Sequence, residues 1–358
     1  MRTKCLWGLA LSLLSPVVLA HPRDGVPLYR IEQLVGVERL VPGGMNNFGT
    51  IVGAELLPTP DGGETRVPFI WTKHRVVRLE VPSGLTFDSL NAINDRGQVT
   101  ANMLVPDEEG VPRAAGFIWR HGQFESMGDL PGGETLSNAA GENERGEVVG
   151  RSASDAGHVC VLWERGTLMS LGDLPGGGTE CFAANINDFG VVVGSALAPS
   201  GQQPFVWRNG EMTQLAVPAG GTFGSAGAIN NHGVILGSYA ADGRRQSSLW
   251  FREEQLTIPP PPGFKEGGPS GINDAGDMIG YAIAGNSSDP VAFLWHHLTP
   301  VDLNSRIWPY DPLKSCAKLG YPLGINNAGE IEIYGTDSCA GGVPRLYRLV
   351  PVKEKHWR

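Results

Sequence analysis

The chain has little charge, few cysteines and no long apolar segment beyond its first twenty residues. Charged residues make up 18% of the 358, and 37 acidic residues outnumber 28 basic ones. Because basic runs are also missing, we expect no nucleic-acid partner and no attraction to an anionic membrane surface. Apolar residues at three- and four-residue spacing do not occur after the N-terminus, which argues against a helical fold. Fifty glycines and 27 prolines instead favour short strands joined by tight turns.

The first twenty residues have the pattern of a secretory signal peptide. Arg2 and Lys4 precede an apolar stretch that ends at a cleavage site near Ala20. An uncleaved anchor is the alternative, but Pro16 and the shortness of the stretch argue against it. We therefore predict a secreted or periplasmic protein without membrane insertion after cleavage. Residues 21–352 are expected to form one domain, followed by a tail at 353–358.

Four cysteines remain after the leader is removed. An even number in an exported chain indicates two disulfides, for which three pairings are possible. We favour Cys160–Cys181, in neighbouring repeats, and Cys316–Cys339, in loops of the last repeat. Zinc binding would require close Cys/His pairs at ligand spacing, and the sequence has none. We expect neither a metal nor a cofactor.

One short phrase occurs seven times along the chain. It consists of a residue that is apolar in six copies, Asn, then Asn, Asp or Glu, any residue, and Gly. The seven glycines are Gly49, Gly97, Gly146, Gly190, Gly233, Gly276 and Gly329, at intervals of 43 to 53 residues. Asn and Asp cap such turns, and Gly adopts the positive φ that a tight hairpin needs. The period predicts a solenoid, a propeller or an array.

Each copy contains four strand-like pieces, which is the size of a propeller blade. The third piece ends in Trp in six copies, with an aromatic or small residue two positions earlier, as in Phe205-Val206-Trp207. The last copy reads Arg345-Leu346-Tyr347. A stripe of this kind forms either a ligand platform or, as we favour, the core between blades.

The seventh copy supplies three strands before the chain runs out. An extra strand, Leu28 to Leu34, precedes the first turn and fits the missing place. We predict an all-β fold, a seven-bladed β-propeller of four-stranded blades closed by the N-terminal strand completing the last blade, which protects the sheet edges. We expect a monomer.

These repeats resemble the HAF repeat family. Ile186 to Gly194 corresponds to the turn and strand of that family, and Val291 to Trp295 to its Phe-Leu-Trp strand. Leu171 to Gly177 is similar to its Asp-Leu-Gly loop, and the likeness covers about residues 28–350. The resemblance implies an exported, propeller-like repeat protein. It implies no established activity, so no catalytic residue is carried over.

Two places are candidate ligand sites. The longest segment between blades, about 303–321, contains Trp308 and Tyr310, which are able to stack on a sugar ring or grip a peptide. The alternative is a loop that merely covers the seam between blades. Asp129 and Asp173 occupy equivalent loops in neighbouring repeats and would suit Ca²⁺ or acid–base chemistry, although Asp also caps such loops.

Three functions stay open. The first is a non-enzymatic binding scaffold that uses one propeller face for a carbohydrate or protein ligand. The second is a hydrolase or lyase that acts on an extracellular polymer through acidic residues near the central channel. The third is a structural envelope component. An enzyme requires charged residues from several blades at one channel mouth, and no sequence motif for a nucleophile is present.

Overall fold

The computed structural model describes residues 25–72, 75–132, 136–252, 254–285 and 289–352. The predicted signal peptide, residues 1–20, and the predicted tail, residues 353–358, lie outside this part of the chain. Within it, no helix is long and apolar enough to cross a membrane.

The described residues form seven four-stranded antiparallel sheets arranged as a propeller. Strand β1 (Tyr29–Gln33) precedes blade 1, which comprises β2 (Leu40–Met45), β3 (Ile51–Pro58), β4 (Glu64–Thr72) and β5 (Arg75–Arg78). Blade 2 comprises β6 (Thr86–Ile93), β7 (Val99–Pro106), β8 (Pro112–Arg120) and β9 (Gln123–Ser126). Blade 3 comprises β10 (Ser137–Glu142), β11 (Val148–Ser154), β12 (Gly157–Glu164) and β13 (Thr167–Ser170). Blade 4 comprises β14 (Cys181–Ile186), β15 (Val192–Ala198), β16 (Gly201–Arg208) and β17 (Glu211–Gln214).

The remaining blades follow the same order. Blade 5 comprises β18 (Thr222–Ile229), β19 (Val234–Ala241), β20 (Arg244–Phe251) and β21 (Glu254–Ile258). Blade 6 comprises β22 (Glu266–Ile272), β23 (Met278–Ile283), β24 (Pro290–His296) and β25 (Thr299–Asp302). Blade 7 comprises β26 (Ala317–Ile325), β27 (Ile331–Asp337), β28 (Val343–Pro351) and, as its outermost strand, β1. Two short 3-10 helices, Leu303–Arg306 and Ser338–Ala340, flank β26 and β27.

The ring closes as the sequence predicts. The N-terminal β1 pairs antiparallel with the C-terminal β28, with Ile31 opposite Leu349. Both ends of the described chain therefore belong to one sheet. The fold class, seven blades and closure by the N-terminal strand are confirmed.

The Trp residues of the third strands pack mainly between blades. Trp295 of blade 6 is buried in a cluster with Ala228 and Leu236 of blade 5, and Trp71 of blade 1 is buried with Leu346 of blade 7. Large aromatic side chains supply the apolar area that a single small sheet cannot bury alone. The interpretation of the stripe as interblade core is confirmed.

The register of the last repeat differs from the prediction. Leu349 lies opposite Ile331, as Trp71 lies opposite Ile51 in blade 1. Leu349 therefore takes the Trp position and Tyr347 takes the Phe position, two residues later than the alignment of Arg345-Leu346-Tyr347 assumed. The sequence offered no Trp at this place, so Tyr347 was assigned to the wrong member of the pair.

The seam between blades 7 and 1 contains an unusual buried acid. Glu332 stands three residues after the turn glycine, where Val52 and Ile279 stand in blades 1 and 6. Its side chain is 1% exposed, and neither carboxyl oxygen has a hydrogen-bond partner among the described residues. Burial raises the pKa of Glu332 to about 8. The carboxyl group is therefore neutral through most of the physiological pH range.

Both predicted disulfides form. Cys160 of β12 is bonded to Cys181 of β14, so this bridge joins blades 3 and 4. Cys316, just before β26, is bonded to Cys339 in the 3-10 helix that follows β27.

Candidate functional site

The seven Asn-x-x-Gly turns meet around the central channel and form its mouth on one face, here called the turn face. In every blade the side-chain amide of the first Asn donates to the backbone carbonyl of the corresponding Asn in the next blade, over 3.0 to 3.1 Å. The bond from Asn326 to Asn46 crosses the seam and completes the circle. The members of this amide ring are Asn46, Asn94, Asn143, Asn187, Asn230, Asn273 and Asn326, all of them buried.

A second ring lies beside the first. At the next position of each turn, the backbone N–H donates to the side-chain oxygen of the corresponding residue in the following blade, over 2.8 to 3.0 Å. The members are Asn47, Asp95, Glu144, Asp188, Asn231, Asp274 and Asn327. We call this the acceptor ring.

The acceptor ring carries four carboxylates, of which Glu144, Asp188 and Asp274 line a cavity of about 220 Å³. Burial, together with the charges of Asp95 and Asp188, raises the pKa of Glu144 between them. The hydrogen bonds that these side chains make to the turns thus account for the Asn, Asp and Glu residues at this position, as expected. The acceptor ring also brings acidic groups from four blades to one channel mouth, which is the arrangement that the enzyme hypothesis requires.

A larger cavity lies on the opposite face, here called the loop face, between blades 5 and 6. This groove A has a volume of about 420 Å³. Small residues line much of it, among them Ser225, Ser247, Gly267 and Gly268. Glycines extend the opening: a Cβ atom placed on Gly227 would meet nothing within 4 Å. Missing side-chain volume at an otherwise filled interface creates the groove.

Groove A is lined by polar groups. Arg245 Nε donates to Ser238 Oγ over 2.8 Å, which fixes the guanidinium against the wall. Arg244, Ser247 and Glu266 also line it. Neither arginine forms an ion pair within the described ranges. The groove therefore offers hydroxyls, backbone groups and unpaired guanidinium nitrogens to a ligand.

A second groove lies one blade further, between blades 6 and 7. This groove B has a volume of about 320 Å³ and is lined by Tyr321, Tyr334 and Pro290, with Lys318 and Asp289 at one side. The Lys318 Nζ and Asp289 Oδ2 atoms form an ion pair over 2.7 Å. Tyr281, which lines groove A, and Tyr321, which lines groove B, stack edge to face with ring centroids 4.8 Å apart. The aromatic pair thus separates two neighbouring grooves.

Comparison with known proteins identifies the architecture and nothing finer. No protein-family model matches the sequence, and a search of curated proteins gives no match. The β-propeller domain of the Trilobed protease from Pyrococcus furiosus is similar at a TM-score of 0.54 and 10% identity, over 87% of this chain and 95% of that one. A prolyl endopeptidase is similar at a TM-score of 0.55 and 12% identity, over 91% of this chain and 51% of that one. These likenesses show the fold alone.

The segment containing Trp308 and Tyr310 lies against the outermost strand of blade 7. Ile307 bridges to Tyr29 of β1, Trp308 N donates to the Tyr29 carbonyl over 2.8 Å, and Asp311 accepts from Ile31 N. The segment therefore covers the outer edge of the closing strand. Arg30 stacks over the Trp308 ring at 4.6 Å, while Tyr310 is 63% exposed.

Asp129 and Asp173 lie in equivalent exposed loops, after β9 and β13 respectively. Neither belongs to a group of three possible metal ligands in the described part of the chain. The single such group there, Cys316, Asp337 and Cys339, has both thiols in a disulfide. A disulfide removes the thiolates that would bind a metal.

Sequence reasoning missed both grooves. The residues that border groove A are spread over β18, β20 and β22, so no single stretch of sequence marks it.

Proposed function

We propose that this chain is an exported, non-enzymatic propeller that binds carbohydrate in groove A. The observation that carries the proposal is the groove itself, an open cavity of about 420 Å³ with a polar lining on the loop face. Ligand pockets of proteins commonly have volumes of about 300 to 1,000 Å³. Hydroxyl groups of a sugar find donors and acceptors there in Ser225, Ser247 and the glycine backbone.

Export is supported by three features. Two disulfides are typical of proteins that fold in an oxidising compartment. The first twenty residues have the pattern of a signal peptide. The resemblance to HAF repeats also implies an exported repeat protein.

The test is to fill the groove. Gly227→Phe introduces a ring into open space, because a Cβ at this position meets no neighbour within 4 Å. The matched control is Ala275→Phe, an exposed turn position where Phe48 and Phe189 stand in blades 1 and 4. On a glycan array followed by calorimetry, residues 21–358 should bind a glycan, Gly227→Phe should abolish that binding, and Ala275→Phe should retain it. Equal binding by all three proteins would reject groove A as the site.

The loop with Trp308 and Tyr310 is the competing surface for the same function. Tyr310 is well exposed and its ring contacts that of Trp308 at 5.3 Å between centroids. If this loop holds the ligand, Tyr310→Ala weakens binding whereas Gly227→Phe does not. The two variants therefore assign the ligand to one surface or the other.

A second candidate function is cleavage of an extracellular polymer at the turn face, by hydrolysis or by a lyase reaction. It is favoured by the acceptor ring, in which burial raises the pKa of Glu144, as is typical of general acids. Release of new chain ends from neutral and acidic polysaccharides would measure it. Glu144→Gln should abolish such activity. Failure of the unaltered protein to release ends from any polymer of the panel would reject this candidate.

A further inference from the structure

The charge of groove A is opposite to that of the chain. The whole chain has a net charge of −9, yet Arg244 and Arg245 line the groove with Glu266 as the one acidic lining residue. A locally positive cavity in an acidic protein selects ligands by charge as well as by shape, because like-charged molecules are repelled elsewhere on the surface.

Arg245 is placed to read a carboxylate. It stands two residues before Ser247 on β20, so both side chains lie on the same face of the strand. Its Nε is held by Ser238 Oγ at 2.8 Å, and no partner of its two terminal nitrogens is found in the described ranges. A guanidinium fixed in this way presents a fork that matches a carboxylate, with less side-chain freedom to lose on binding.

Groove B supplies a different kind of surface next to the first. Tyr321 is 40% exposed, and Tyr334 and two prolines complete a largely apolar lining. A tyrosine ring presents a flat apolar surface with a polar tip, which suits the C–H face of a sugar ring. The edge-to-face pair of Tyr281 and Tyr321 is the wall common to both grooves, so one extended ligand is able to occupy both.

We propose that grooves A and B are consecutive subsites for an oligosaccharide that contains uronic acid. The carboxylate of one sugar pairs with Arg245, with Arg244 at the rim, and a neighbouring sugar ring stacks on Tyr321. This inference rests on the proposed function, because it names the carbohydrate class and the number of subsites of the same site.

The pairing of Arg245 with a sugar carboxylate is tested by calorimetry with residues 21–358. Three tetrasaccharides are compared: an oligogalacturonate, its fully methyl-esterified form and a sulfated oligosaccharide. We expect the acidic sugar to bind at least about tenfold more tightly than the ester, since a charge-assisted bidentate pair is lost. Arg245→Ala should remove that difference. Arg252→Ala, an exposed arginine of the same blade in the β20–β21 turn, should not.

The second subsite, in groove B, is tested with Tyr321→Ala. This variant should weaken the tetrasaccharide severalfold and leave the monomeric uronate unchanged, because the monomer occupies groove A alone. Equal affinity for acid and ester, or tighter binding of the sulfated sugar, would overturn the uronate assignment while leaving a carbohydrate site in groove A. Absence of binding by all three tetrasaccharides, with a neutral glycan also failing, would overturn the proposed function as well. If Tyr321→Ala lowers the affinity for the monomeric uronate and for the tetrasaccharide by the same factor, the second subsite is overturned.

Discussion

Removing one side chain from the amide ring should destabilise the whole propeller. Asn230 is 4% exposed, and its side chain makes three hydrogen bonds. Its Nδ2 donates to the Asn273 carbonyl at 3.0 Å, and its Oδ1 accepts from the backbone N–H groups of His232 and Val234 at 3.1 and 3.0 Å. Asn230→Ala deletes all three bonds. The two N–H groups and the carbonyl then depend on water for replacement.

The loss in free energy of unfolding is estimated from the number of these bonds. Each contributes about 1 kcal/mol net, and a buried group left without a partner costs about 1 to 3 kcal/mol. We therefore expect Asn230→Ala to lower the free energy of unfolding by about 3 kcal/mol. Asn230→Asp keeps the acceptor for both N–H groups and loses only the bond to blade 6. Its loss should be smaller, about 1 to 2 kcal/mol.

Urea unfolding followed by tryptophan fluorescence measures the difference. The slope of free energy against urea should stay constant, so the midpoint reports stability. Asn138→Ala is the control, because the Asn138 side chain is half-buried and has no hydrogen bond within the described part of the chain. If Asn230→Ala and Asn138→Ala shift the midpoint equally, the ring does not contribute to stability and the reasoning is wrong.

Three further outcomes are expected. Glu332 has a folded-state pKa of about 8, above the value of about 4.3 for an unfolded chain, so its stabilising contribution is complete below pH 4 and is lost as the pH rises to about 8. Between pH 5 and 8 the free energy of unfolding should therefore fall by up to about 1.4 kcal/mol per pH unit more in the native chain than in Glu332→Gln. Parallel plots of this free energy against pH for the two proteins would contradict the expectation. Replacing Cys160 and Cys181 together by Ala should cost about 3 kcal/mol in urea unfolding, given the 21-residue separation, and no change in midpoint would contradict it. Deleting residues 21–34 should leave the outer edge of β28 unpaired and the protein aggregated in size-exclusion chromatography. A monomeric, cooperatively folded product would show that β1 is dispensable.

Much of the fold could be predicted because its signals are local. The Asn-x-x-Gly turn and the Trp of the third strand each occupy a fixed place in the repeat, so counting the turns also counts the blades. The surplus strand near Tyr29 matched the strand missing from the last repeat, which was enough to predict closure. Both disulfides followed from the even cysteine count and from their positions in neighbouring or shared repeats.

The features that were missed depend on distances between repeats. The turn explains why Asn230 caps its own hairpin, but the bond to Asn273 depends on how near the next blade lies. Groove A is lined by residues of blades 5 and 6, so it depends on how these two blades pack against each other. The two-residue displacement of Leu349 was hidden because that strand lacks the Trp that marks the register elsewhere.

The amide ring has a direction, and this has a consequence for how such a protein can change. The Asn side chain of each turn donates one hydrogen bond to the next blade, and the carbonyl of that Asn accepts one from the preceding blade. Loss of a single repeat therefore leaves an unmatched donor on one neighbour and an unmatched carbonyl on the other. An open-ended stack can shorten or lengthen one unit at a time, because only its caps are affected. In this propeller, the gain or loss of one repeat would change the circumference of the ring. All the remaining turns would then have to move before their Asn side chains could again bond to the carbonyls of the next blade.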